Sequence, residues 1–135
     1  MSAFGGTRRD ARERILHLLY ESDQRGVDPT TVLADQVLPP DDYTTEVLTG
    51  IAEHRVDLDA RLAARAEGWT LERMPTMDRL ILEIGAYELA HRGDVPTAVI
   101  LNEAIELANQ YSTDDSGRFV NGVLAGISSD VRPAG

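Results

Sequence analysis

Cysteine is absent from the 135 residues, which excludes disulfides and thiolate metal sites. Lysine is absent too: all thirteen basic residues are arginine, a set that fits a biased genome composition as readily as phosphate recognition. No apolar run approaches the ~20 residues that span a bilayer, so no membrane association is expected. Met1 to Thr7 lacks a basic stretch followed by an apolar one, so no secretory signal is expected and a cytoplasmic location is the default. There is no internal repeat, no low-complexity segment and no glycine-rich phosphate loop. With no cysteine, and no serine placed beside a His–acid pair, nucleophilic catalysis has no support. No cofactor and no enzymatic activity are expected.

Positive charge is scarce. The net charge is −10 and the isoelectric point about 4.6, which argues against a general nucleic-acid binder because phosphate contacts need cations. The balance is uneven along the chain. Residues 1–25 hold Arg8, Arg9, Arg12, Arg14 and Arg25 against four acids, a net of +1. The remaining residues hold eight arginines and nineteen acids, a net of −11.

Length and an apolar content of 42% suit one domain, residues 1–135, with 1–6 and 130–135 as flexible tails. Helical periodicity dominates, and no alternating run reads as a sheet. The fold class is therefore all-α, with about seven helices. Thr7-Arg8-Arg9-Asp10 has capping-box spacing and opens a helix that Gly26 stops after Arg25. Its core stripe is Ala11, Ile15, Leu18, Leu19 and Ser22. A short helix is expected over Val27 to Gln36, begun by Asp28-Pro29, and the consecutive prolines after Leu38 form a loop. A long helix from Tyr43 to Glu67 carries Val47, Leu48, Ile51, Val56, Leu58, Leu62 and Ala66 on its apolar side. Gly68 ends it, and Trp69 is expected to cap the core. One turn over Leu71 to Met74 precedes a helix from Thr76 to Arg92, with its stripe at Met77, Leu80, Ile81, Ile84 and Tyr87. Helices at 97–111 and 115–129 complete the chain.

Among candidate functional residues, Arg9, Arg12, Leu16 and Tyr20 fall on one flank of the first helix, beside its core stripe. A guanidinium row ending in an aromatic suits phosphate contact plus base stacking. The plainer alternative is a solvated face with an Arg9–Glu13 pair and Tyr20 at the core edge. Glu88-Leu89-Ala90-His91 matches the Glu-x-x-His element of di-iron bundles. Such sites need two of these elements and two further Glu, so no metal centre is expected. His17 and His54 stand alone in the sequence. Asp114-Asp115-Ser116 precedes the last helix, where Asp or Ser would cap it. Gly122 and Gly126 have the spacing that lets helices approach closely in a core. Asn121 is expected to bond a neighbouring helix end, and Glu103 to sit near a positive helix end.

Several segments together carry a family resemblance. They are Ala11-Arg12-Glu13 with Leu19-Tyr20, Gly50, Trp69, Asp78-Arg79-Leu80-Ile81-Leu82, Tyr87-Glu88-Leu89 and Asp94-Val95-Pro96. Asn102-Glu103-Ala104-Ile105-Glu106-Leu107-Ala108 and Phe119-Val120-Asn121-Gly122-Val123-Leu124 complete the set. The chain resembles the NusB family of bacterial transcription antitermination factors over nearly its whole length, most specifically in its C-terminal half. The resemblance implies two packed three-helix bundles and no catalysis. It also implies binding of boxA-type single-stranded RNA together with the ribosomal protein NusE, within an RNA polymerase antitermination complex on ribosomal RNA operons. Carried onto this sequence, it implies Arg8, Arg9, Arg12, Asp115 and Arg118 on the RNA side, with Tyr20 and Asp78 facing NusE. Two departures bear on RNA affinity: Asp10 interrupts the N-terminal cations, and the whole chain is acidic. An alternative is a protein-interaction module that binds a basic partner with little RNA contact of its own. Some NusB-like proteins look dimeric, which would occlude the RNA face, and the sequence leaves a homodimer open.

Overall fold

The computed structural model describes residues 7–133. Six α-helices and one 3-10 turn follow in order: α1 Arg8–Arg25, α2 Pro29–Ala34, α3 Asp42–Arg65, the turn Leu71–Arg73, α4 Thr76–His91, α5 Thr97–Tyr111 and α6 Ser116–Val131. Local chemistry sets several boundaries. Thr7 and Asp10 exchange side-chain bonds with each other's backbone N–H, closing the capping box of α1. Gly26 ends that helix at φ 67°, a left-handed conformation that suits glycine. Asp28 caps α2 through Thr30, and Asp41 caps α3 through Thr44.

The first three helices pack on one another, and so do the last three. The two groups meet where α4 lies against α1 and α3. This is the expected pair of three-helix bundles, with one fewer regular helix than expected because residues 71–73 make only a 3-10 turn. Every residue from Leu80 to Leu89 is buried. The single apolar stripe expected for α4 therefore understates its surroundings, since α1, α3, α5 and α6 enclose it. Close approach depends on glycine twice: a Cβ on Gly50 would strike the Tyr87 ring, and one on Gly85 would strike Leu124.

Four expectations are corrected. Val56 is 88% exposed: about 200° of helix rotation from buried Leu58, it lies on the solvent side of α3. Gly122 faces open space and Gly126 faces the side chain of Arg65, so this pair is not a helix-crossing contact. Asn121 is exposed. The C-terminal tail does not begin at residue 130, since α6 runs to Val131 and Arg132 is tightly held. The Arg132 guanidinium donates to the carbonyls of Glu88, Leu89, Arg92 and Val95 at 2.7–3.1 Å, and to the Thr97 hydroxyl at 3.0 Å. It thereby satisfies the Leu89 carbonyl, which the end of α4 leaves without a backbone partner, and adds a second donor to those of Glu88 and Arg92. The expected tails at residues 1–6 and 134–135 lie outside the described residues. Among the described residues there is no strand, and no helix is long and apolar enough to cross a membrane.

One network ties α1, α3 and α4 together at the bundle junction. Arg55 grips Glu83 through Nε at 3.0 Å and Nη2 at 2.7 Å, while Arg79 holds Asp23 at 2.6 Å. Asp59 completes the group, with a buried Oδ1 that accepts no hydrogen bond. Burial, a hydrogen bond with Glu83 and that neighbour's charge raise the Asp59 carboxyl to about 7. The folded chain thus retains a proton that the unfolded chain, with its carboxyl near 3.8, has already lost. The resulting penalty is absent below pH 4, grows across the window and is complete above pH 7. Urea titrations at pH 5 and pH 8 are expected to show the parent chain losing about 1–2 kcal/mol more than Asp59→Asn, after discounting for solvent screening of this half-exposed group. Parallel losses in both proteins would remove Asp59 as the titrating group.

Candidate nucleic-acid interface

The start of α1 borders an open hollow of about 640 Å³, lined by Arg8, Arg9 and Arg12 on one side and by Asp94, Pro96, Val99 and Glu103 on the other. Arg9 does not pair with Glu13 one turn along. Its guanidinium forms a fork with Glu103 of α5, with Nε at 3.0 Å and Nη2 at 2.7 Å. That hydrogen bonding raises the Arg9 pKa and lowers that of Glu103. Arg8 lies with its guanidinium carbon 3.8 Å from the centre of the Tyr43 ring, and Arg92 lies 4.7 Å from the same ring. Arg92 is further held by Asp94, at 3.0 and 2.9 Å, and by Glu46 at 2.9 Å. The bond from Arg92 holds the Asp94 carboxyl down at about 2.

Arg12 is placed differently from its neighbours. It is 3% exposed, and its Nε donates to both Glu88 oxygens at 3.1 and 3.0 Å. Its Nη2 lies 2.8 Å from Glu88 Oε2 but outside hydrogen-bond alignment. The Tyr43 hydroxyl donates to Glu88 from α3. Burial and that carboxylate raise the Tyr43 pKa well above the usual phenol range. The expected flank is therefore split: Arg12 and Leu16 are inside, whereas Arg9 and Tyr20 are exposed. Helical stepping identifies the row, but the packing of α3 and α4 against α1 decides which members reach solvent.

Tyr20 is 39% exposed. One turn earlier on α1, exposed His17 meets the Tyr111 ring edge-on at 5.3 Å, and Tyr111 donates to Glu13 at 2.8 Å. Asp78 does not share this exposure. It is 4% exposed and accepts hydrogen bonds from the hydroxyls of Ser112 and Ser116. Its carboxylate holds the α5–α6 loop against α4 rather than facing outward.

That loop shapes a second hollow, of about 350 Å³, lined by Trp69, Pro75, Asp78, Asp115, Ser116 and Phe119. Trp69 is 49% exposed, with its ring 6.1 Å from that of Phe119, so it is not the core cap expected of it. Asp115 occupies the N-cap position of α6 but makes no side-chain capping bond; Ser116 instead engages Thr113. Asp115 and Arg118 are both exposed, and Arg118 pairs with no acid among the described residues. The sequence reading missed Tyr43, Trp69 and Phe119 as surface-organising aromatics. The available signal was Trp69 directly after Gly68, which has a positive φ of 79° and sits in a loop rather than a packed helix.

The remaining acid and histidine candidates are also placed. Glu88 of the Glu-x-x-His spacing is taken by Arg12 and Tyr43. His91 stacks on His54 at 4.2 Å and on Tyr87 at 5.1 Å. His54 is thus not isolated: it joins α3 to α4. Burial, then the neighbouring His54, lowers the His91 pKa.

Comparison with known proteins adds the following. Residues 9–129 match the model of the NusB family. The "Transcription antitermination protein NusB" of Saccharopolyspora erythraea is 48% identical, the match covering 94% of this chain and 92% of that protein. The structure of T. maritima NusB superposes with a TM-score of 0.84 at 32% identity, covering 95% of this chain and 94% of that one. A chain from a structure of antitermination factors NusB and NusE in complex with double-stranded RNA has the same fold, with a TM-score of 0.77 at 23% identity, covering 91% of this chain and 96% of that one.

The buried pair and the exposed pair at the start of α1 predict opposite responses. Arg12→Ala leaves Glu88 charged and buried without its counter-ion, and is expected to cost about 3–5 kcal/mol in urea unfolding. Arg9→Ala is expected to leave the midpoint nearly unchanged, because water can solvate Glu103. Equal shifts would mean that the Arg12–Glu88 pair is not sealed from solvent.

Proposed function

The chain belongs to the NusB family, and from that premise we propose that it works as a transcription antitermination factor by scaffolding RNA and protein. It binds boxA-type single-stranded RNA jointly with NusE, in the cytoplasm, and the assembly joins RNA polymerase transcribing ribosomal RNA operons. It is a binding factor, not an enzyme. Arg8 and Arg9 at the start of α1 contact phosphate. At the far end of α5, Asp115 and Arg118 frame the Trp69–Phe119 pair, whose faces suit base stacking. Tyr20, with His17 and Tyr111 beside it, forms the face offered to NusE. Arg12 and Asp78 act from inside: one fixes α1 on α4, and the other fixes the α5–α6 loop.

The observation that carries this reading is the pairing of exposed arginines with exposed aromatics on an otherwise acidic molecule. It also bounds the affinity. Of the thirteen arginines, eight make ion pairs among the described residues and Arg132 is taken up by carbonyls, which leaves Arg8, Arg14, Arg73 and Arg118. Three phosphate contacts to a single strand, from Arg8, Arg9 and Arg118, correspond to a salt slope of about −2. Binding by the chain alone is therefore weak, and the basic partner supplies the remaining cations. The same scarcity favours the second reading, a module that binds NusE with no RNA contact of its own.

Fluorescence anisotropy with labelled boxA-type RNA, with and without NusE, at several salt concentrations, tests both readings. The mixture is expected to bind more tightly than either protein, with Arg8→Ala and Arg118→Ala each reducing the slope by about 0.7. No gain over NusE alone, with NusE still bound, would establish the protein-only module. A homodimer that covers the RNA face would appear as binding that weakens as the chain's concentration rises.

A further inference from the structure

The two arginines that open α1 are held in chemically different ways. Arg9 is matched by a carboxylate, Glu103, which orients it and also cancels its charge. Arg8 is held over the Tyr43 ring. An aromatic face orients a guanidinium through its quadrupole and leaves the full positive charge in place. A guanidinium held by its face also keeps its in-plane N–H donors for a phosphate. Asp94 and Glu46 are engaged by Arg92, which lies against the same ring.

The Tyr43 ring is itself fixed from below. Its hydroxyl donates to Glu88, and Glu88 is locked by Arg12 at the α1–α4 contact. A rigid chain of contacts thus runs from the buried ion pair, through a half-buried aromatic, to an exposed cation. Immobilising a long, rotamer-rich side chain on binding carries an entropic cost. A side chain already resting in place avoids most of that cost.

We propose that Tyr43 is a positioning residue for RNA binding: its ring pre-orders Arg8 as a charged phosphate-contacting group at the mouth of the α1 hollow. The inference rests on the RNA-binding reading above. The aromatic face matters, and the hydroxyl serves mainly to hold the ring. Tyr43→Phe therefore keeps the function, whereas Tyr43→Leu removes it along with the ring.

The experiment is a double-mutant cycle read in affinity for labelled boxA-type RNA, in the presence of NusE, at a temperature where circular dichroism shows every variant folded. Tyr43→Leu is expected to weaken binding about three- to tenfold and Tyr43→Phe less than twofold. In the Tyr43→Leu background, Arg8→Ala is expected to have a much smaller effect than in the parent chain, because the two residues act as one unit. In parallel, 15N relaxation at the Arg8 side-chain Nε is expected to report a loosened side chain in Tyr43→Leu but not in Tyr43→Phe. A residue with a purely structural role would move neither the coupling nor the Arg8 relaxation. Additive effects of Tyr43→Leu and Arg8→Ala would overturn the proposal, as would an unchanged Arg8 side chain in Tyr43→Leu. If the parent chain adds nothing to RNA binding with NusE, the functional reading fails and the positioning role fails with it. The parent titration alone tells that result from the others.

Discussion

The ion pair between Arg12 and Glu88 is the contact around which the N-terminal half is arranged. Two charges withdrawn from water are tolerable only when each finds matched partners. Glu88 accepts from Arg12 on α1 and from Tyr43 on α3, so three helices converge on one carboxylate of α4. That convergence sets how α1 crosses α4, and hence where Arg8 and Arg9 emerge. At the same C-terminal end of α4, Arg132 binds the carbonyls of Glu88, Leu89, Arg92 and Val95 and anchors the end of α6. Residue 88 is thus fixed through its side chain from one bundle and through its carbonyl from the other.

The molecule uses most of its arginines on itself. Arg55 and Arg79 neutralise acids where the bundles join, Arg65 pairs with Asp130 across α3 and α6, and Arg92 is divided between Glu46 and Asp94. With a net charge of −10, few cations are left facing outward. This is coherent with the proposed scaffold: an acidic surplus would attract a basic partner, and a few placed arginines would touch RNA without creating indiscriminate affinity for nucleic acid.

Residues whose roles invite a chemical reading turn out to be structural once their surroundings are known. Glu88 and His91 have the spacing of a di-iron ligand pair, yet one is an ion-pair acceptor and the other stacks in an imidazole–phenol column with His54 and Tyr87. Asp78 lies in a segment that carries the family likeness, and its carboxylate ties two serines. The residues left with spare chemical capacity are Arg8, Asp115 and the Trp69–Phe119 pair at the hollows, and exposed Arg118 next to Phe119 in the chain.

The helices, the caps of α1 and α2 and the identity of the family were legible in the chain alone. Capping boxes, Asp-Pro starts, glycine stops and 3.6-residue periodicity act over a few residues, and local backbone energetics decide them. The chain alone also determined which residue types are available for RNA contact. Only tertiary structure decided which of those residues reach solvent. Arg9 and Arg12 lie three positions apart on one helix, yet Arg12 is enclosed with Glu88 of α4 and Tyr43 of α3 while Arg9 stays at the surface. Trp69, apolar enough for a core, is half-exposed because the loop that carries it ends outside the bundle. Exposure depends on the packing of distant segments, and no local pattern in a single chain encodes it.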